Sequence, residues 1–380
     1  MTTSPRPPSS PQRPRSALSK ARAAWRNARQ LLRHGRLGPV WRTAFEVVFA
    51  DPHVTLRRYV PRATETPAPA ARRPVLLVPP LMVTAEIYDI SPEASVVARF
   101  QRAGLEVHVA DFGDPAASAG GLSRTLDDHV LAVSRCVDHL NAATGQDVHL
   151  VGYSQGGLFC YQAAAYRKNR GLASLVAFGS PVDIHRNHAL PVRRKVAARL
   201  IGLARRAIDP ALHAIDALPG QLSAIGFKLM APRQELRHGL LTLANLHDRE
   251  ALLALEPRRR FLGGEGFIAW PGPALRTFID EFVVKNRLRE GHFPIGGQDV
   301  SLADLTLPLL SVVGLRDELA YPAAVRAIAE AAPASRVRFV EVEAGHFGLI
   351  VGHEAEAVSW PAVFAFLAEA DAAPRPGAPR

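Results

Sequence analysis

The sequence predicts an α/β fold with a mostly parallel central sheet covered by helices on both faces. Three observations predict it. Short apolar runs at Val75–Val78, 105–110, 148–151, Leu172–Phe178, 307–313 and Val337–Val342 punctuate the chain. Between them lie amphipathic stretches, such as the one carrying Leu126, Val130, Val133, Val137 and Leu140 on one face. Strands apolar on both sides belong inside a covered sheet, and the helical stretches supply its parallel crossovers. Finally, 380 residues, 48% of them hydrophobic, suffice for a large core, whether one domain with an insertion or two domains.

Taken in order, the first fifteen residues are rich in Pro, Ser and Arg and read as disordered. A basic amphipathic helix follows from 16 to about 37, with Leu18, Trp25, Leu31 and Leu32 among Arg22, Arg26, Arg29 and Arg33. Such a helix either packs on its own domain with solvated arginines or lies on an anionic membrane or granule surface. Strands are expected at 45–49 and 54–60, then a loop at 63–73 broken by Pro67 and Pro69. Helices are expected at 90–103, 122–143 and 158–167, the first closed by Gly104 and the last by Gly171. Residues 184–270 interrupt the alternation with helical stretches such as 192–208 and 233–245 and no convincing strand. An insertion there stands above the carboxyl edge of the sheet, where open α/β folds bind substrates, and reads as a helical lid that excludes water. A helix at 323–331 separates the last two strands. The expected organisation is an arm at 1–40, core at 41–183, lid at 184–270, core at 271–370 and a disordered tail at 371–380.

The formal net charge of +11 is uneven. Residues 1–73 hold 15 Lys and Arg against 3 Asp and Glu, whereas the remainder holds 31 against 32. The basic character belongs to the arm, which lacks stacking aromatics apart from Trp25, so no nucleic-acid partner is expected. Cys136 and Cys160 lie in helical patterns and read as buried free thiols. The N-terminus lacks the apolar core of a secretory peptide, and no uncharged apolar run of about twenty residues occurs, which predicts a cytoplasmic enzyme. No cofactor is expected, and His185 with His188 lacks a third ligand for a metal.

The chemistry is carried by Gly152-Tyr153-Ser154-Gln155-Gly156, which follows a strand and precedes a helix. This Gly-x-Ser-x-Gly elbow turns so sharply that a Cβ at either glycine would collide with its surroundings, and it presents the Ser154 hydroxyl. Serine is a poor nucleophile until a base removes its proton. The base must arrive beyond the last strand, where Glu343-Ala344-Gly345-His346 supplies His346; His149 falls inside the elbow strand, and His353 lies in the following helix or turn. The orienting acid should end the preceding strand, which selects Asp317, with Asp183 and Glu318 as rivals. An oxyanion hole needs the Gln155 N–H and a second donor from Pro79-Pro80-Leu81-Met82, where only Leu81 or Met82 has an N–H to give.

Those segments resemble the polyhydroxyalkanoate synthases, most closely the shorter catalytic-subunit type, over roughly residues 40–370. The resemblance rests on Pro79-Pro80-Leu81-Met82, Ile87-Tyr88-Asp89-Ile90-Ser91-Pro92, Ser95-Val96-Val97, Gly104-Leu105-Glu106-Val107 and Asp111-Phe112-Gly113-Asp114-Pro115. It continues through Ser180-Pro181-Val182-Asp183, Phe282-Val283-Val284-Lys285-Asn286, Gly314 to Asp317 and Gly345-His346. It implies an α/β-hydrolase core, a mobile lid, and an acyl-enzyme formed from a hydroxyacyl-CoA thioester. The chain departs from that family at position 154, serine where the family has its nucleophilic cysteine, and at Val83, where the synthases commonly carry Asn.

The expectation is therefore a serine acyltransferase or hydrolase acting on a fatty or 3-hydroxyacyl ester or CoA thioester. Alternatives are a polyester synthase using serine and, in a different class, a non-catalytic protein of lipid granules or membranes held there by the arm. Arg258-Arg259-Arg260 would meet CoA phosphates or form a solvated charged face. A homo-oligomer is compatible with the sequence.

Overall fold

The computed structural model of the chain describes residues 16–38, 41–60, 72–188, 194–230 and 232–372. Its strands are β1 (Phe45–Asp51), β2 (Val54–Tyr59), β3 (Val75–Val78), β4 (Val107–Asp111), β5 (Val148–Tyr153), β6 (Leu172–Phe178), β7 (Leu309–Gly314) and β8 (Val337–Val342). They form one sheet in the order β1-β2-β4-β3-β5-β6-β7-β8. The pairs β1–β2 and β2–β4 are antiparallel, and every other pair is parallel. Strands β3, β5 and β7 are buried along their whole length, as expected of a sheet covered on both faces. The chain steps from β3 to β4 on one side and to β5 on the other. The loops after β3 and β5 thus leave the carboxyl edge beside the crevice that such a reversal opens.

The helices are α1 (Ala17–His34), α2 (Val96–Arg102), α3 (Leu126–Thr144), α4 (Gln155–Tyr166), α5 (Arg194–Ala214), α6 (Gly220–Met230), α7 (Pro232–Ala244), α8 (Arg249–Arg260) and α9 (Trp360–Ala372), with shorter turns between. Helix α3 opens on a capping box, Thr125 with Asp128, and closes on Gly145 at φ 64°. Helix α2 starts at Val96 rather than at 90. Ser95 caps it, and the preceding residues are folded around Asp89, which accepts from Ser95 Oγ (2.6 Å), Thr43 N (2.8 Å) and Trp41 Nε1 (3.0 Å). Helix α4 begins immediately after Ser154, three residues earlier than periodicity suggested, because its first turn contains the glycines that the elbow requires.

Two further expectations are corrected. The 184–270 insertion does contain a strand, Ala217–Leu218, paired antiparallel with Trp270–Pro271. Two residues are too few to leave a periodic signature. Asp371 and Ala372, expected in the tail, belong to α9. Arg73 Nη1 donates to Ala370 O (2.6 Å), and His149 Nε2 lies 3.1 Å from Asp371 Oδ1. Residues 1–15, most of the 63–73 loop, the start of the 192–208 helix and 373–380 fall outside the described residues. Cys136 and Cys160 are buried free thiols, and burial pushes Cys136 up to about 12. Among the described residues, no helix is long and apolar enough to cross a membrane.

Contacts divide the chain into two units. The larger unit holds the sheet, α2–α6 and α9. The smaller consists of α1 with α7 and α8, so the insertion is shared between them. Within the smaller unit, Glu256 accepts from Leu37 N (2.7 Å) and Gly38 N (3.0 Å), while Asn27 Nδ2 donates to Leu246 O (2.8 Å). Arg258 pairs with Glu235, Arg259 donates to Gly35 O (2.7 Å), and Arg260 lies 4.0 Å from Glu256. This triplet is therefore an internal fastening rather than a solvated face.

Candidate active site

Ser154 sits at the junction of β5 and α4 with φ 56° and ψ −122°, a conformation that costs a non-glycine residue roughly 1–3 kcal/mol. The surrounding packing enforces it. A Cβ on Gly152 would collide with Gly157, and one on Gly156 with the Val78 carbonyl oxygen. Ser154 N donates to Phe178 O (2.8 Å), and Ser180 Oγ donates back to Ser154 O (2.8 Å). Tyr88 Oη ties down the end of β3 through Val78 O (2.7 Å). Ser180 and Tyr88 lay in segments that carry the family resemblance, but their bracing role depends on contacts between distant strands.

His346 and Asp317, 29 residues apart, meet: His346 Nδ1 is 2.6 Å from Asp317 Oδ2, with both residues buried. The other oxygen, Oδ1, accepts from Leu319 N and Ala320 N, each at 2.8 Å, which locks the carboxylate in place. Gly314, paired with Val342, turns the chain here: a Cβ on it would stand 2.9 Å from Ala344 O. The His346 ring centroid is 5.0 Å from that of Tyr153 and lies against Gly179, the residue after β6. It thus faces the residues flanking Ser154. Among the described residues no hydrogen bond joins Ser154 to His346, a looseness common before substrate arrives.

The rivals are engaged elsewhere. Asp183 accepts from Asn286 Nδ2 (2.8 Å) and pairs with Arg186 (3.2 Å); Asn286, at φ 53°, in turn accepts from Ile184 N. That pairing joins two segments of the family resemblance for a structural reason. His149 is buried between Ser174 and Asp371. His185 and His188 bond backbone carbonyls, His353 is exposed, and no bond joins Glu318 to His346 among the described residues. No group of three or more potential metal ligands occurs among the described residues.

The two N–H groups of the loop have different surroundings. Leu81 N is occupied by Gln155 Oε1 (3.3 Å), a clamp between elbow and loop that spacing alone does not reveal. Met82 N has no backbone acceptor among the described residues, and its loop is held from the other side by the end of the insertion. Ile268 N donates to Met82 O (3.0 Å), Thr84 N donates to Gly266 O (2.9 Å), and Val83 bridges Phe267. Phe267 and Phe261 (5.9 Å) and Phe261 and Phe347 (6.1 Å) continue an apolar contact toward the residue after His346.

No family model matches the chain. It is 29% identical over 336 residues to the poly(3-hydroxyalkanoate) polymerase subunit PhaC of Synechocystis, covering 86% of this chain and 85% of that one. The PhaC of Allochromatium vinosum is 28% identical, with 85% and 88% covered. The Haloferax mediterranei PhaC is 28% identical over 87% of this chain, which spans 65% of that protein's length. Among solved structures, a hydrolase from Pseudomonas aeruginosa superposes with a TM-score of 0.50 at 17% identity, covering 85% of this chain and 98% of that one. A Paleococcus ferrophilus monoacylglycerol lipase gives 0.50 at 16%, covering 79% and 96%. The chain is an α/β-hydrolase-fold enzyme, related across most of its length to the poly(3-hydroxyalkanoate) polymerases.

Proposed function

We propose that the protein is an acyltransferase or hydrolase that forms an acyl-Ser154 intermediate from a fatty or 3-hydroxyacyl ester or CoA thioester. The observation that carries this reading is Ser154 held at positive φ on the elbow, beside the buried His346–Asp317 pair. His346 takes the Ser154 proton as the hydroxyl attacks the acyl carbonyl, and Asp317 stabilises the resulting imidazolium. The Gln155 and Met82 N–H groups receive the developing oxyanion. Collapse expels the alcohol or thiol, which leaves with the proton from His346; water or an acceptor hydroxyl then enters by the reverse steps. Ser154→Ala should abolish turnover of acyl esters and acyl-CoA, and a fluorophosphonate probe should label Ser154 alone. Equal turnover in the variant would refute the mechanism.

A second reading, a polyester synthase working through serine, is favoured by the names of the relatives. Polymer formed from 3-hydroxybutyryl-CoA by the wild type, with Ser154→Cys equally or more active, would establish it. Free hydroxy acid as the sole product would exclude it.

A further inference from the structure

The small helical unit gathers the chain's charge. Residues 16–38 and 232–260 hold 12 Lys and Arg against 4 Asp and Glu, and residues 1–15 add three arginines. These segments together carry the whole of the +11; the rest of the chain is neutral. Helix α1 contains no acidic residue at all. Its Ala23 and Asn27 are buried, and Asn27 is fastened to Leu246. The opposite side presents Leu18 (63% exposed), Trp25 (63%) and Leu32 (88%), spaced seven apart and therefore on one line. Arg22 and Arg29 fall along the same line, and Arg29 lies 5.3 Å over the Trp25 ring. Helix α7 repeats the pattern: Leu236, Leu240 and Leu241 are exposed beside Arg233 and Arg237, around a shallow depression of about 420 Å³.

We propose that this unit docks on an anionic phospholipid surface, with the α1 and α7 leucines and Trp25 entering the headgroup boundary and the arginines pairing with lipid phosphates. Apolar insertion and positive charge on one helix are the two requirements for residence at such an interface. A nucleic acid would leave the leucines in water, and a second copy would bring together two units of the same strong positive charge. The inference is independent of the catalytic reading.

The test is co-sedimentation of the full chain with vesicles of phosphatidylglycerol and phosphatidylcholine, against vesicles of phosphatidylcholine alone. Binding is expected only to the anionic vesicles, weakening as salt rises. Arg22→Gln with Arg29→Gln should weaken it roughly thirtyfold at low salt. Leu18→Gln, Trp25→Gln and Leu32→Gln combined should abolish it, with thermal melting unchanged because these side chains are exposed; should that variant melt early, the arginine pair decides. Equal binding to neutral vesicles, or unchanged binding in the arginine variant, would overturn the proposal. So would tighter binding to a DNA duplex or an acidic protein than to the anionic vesicles, or a dimer that the leucine variant dissociates.

Discussion

Ser154 stores strain, whereas its supporting pair stores order. The positive φ persists because Gly152, Gly156 and Ser180 leave the backbone no other course. The Asp317 carboxylate, saturated by two N–H groups and His346, has no freedom to wander. Asp317→Asn should keep the fold but favour the wrong imidazole tautomer, lowering kcat on the order of 10⁴-fold, as single-turnover and steady-state rates would show. The elbow geometry at Ser154 was legible because Gly-x-Ser-x-Gly is a local constraint, and the meeting of His346 with Asp317 because each follows a strand ending on the same edge. The engagement of Leu81 N, and not Met82 N, by the Gln155 side chain was not legible. It turns on where the Gln155 amide reaches across a 74-residue separation, which a linear pattern does not encode.

At the scale of elements, the elbow works because α4 is pressed onto the end of β3. Gly156→Ala would drive a methyl group into the Val78 carbonyl, forcing α4 away from the loop that carries Leu81 and Met82. A loss of about 1–3 kcal/mol in denaturant unfolding is expected, with a larger fall in activity than in stability. The main strands were legible from their apolar runs, and Leu172–Phe178 and Val337–Val342 have the expected bounds. The short pairing of Ala217–Leu218 with Trp270–Pro271, and the bridge from Val83 to Phe267, were not. Contacts of two residues or fewer are made by tertiary packing, and no period precedes them.

For the whole molecule, charge and burial set the response to pH. Desolvation pushes buried His108 and His129 from an ordinary 6.5 down to about 4. Between those values the unfolded chain takes up protons that the folded chain refuses, so stability falls as pH drops from about 6.5 towards 4. The loss amounts to up to about 2 kcal/mol per histidine at pH 5. Denaturant titrations at several pH values should show that slope, and His108→Gln and His129→Gln should each flatten it. The partition of the molecule was only half legible. The basic arm stood out in composition, but its partnership with 232–260 depends on Glu256 receiving Leu37 and Gly38 from 219 and 218 residues away.

The seam between residues 82–84 and 266–268 has a mechanical consequence. Two backbone hydrogen bonds cross it, so swinging the end of the insertion outward pulls directly on the peptide groups beside Met82. Under the mechanism proposed above, admitting substrate by that route would unseat the loop that offers the Met82 N–H at the same moment. Opening and chemical competence would then be alternating states of one latch, and a crosslink across the seam would trade access for readiness.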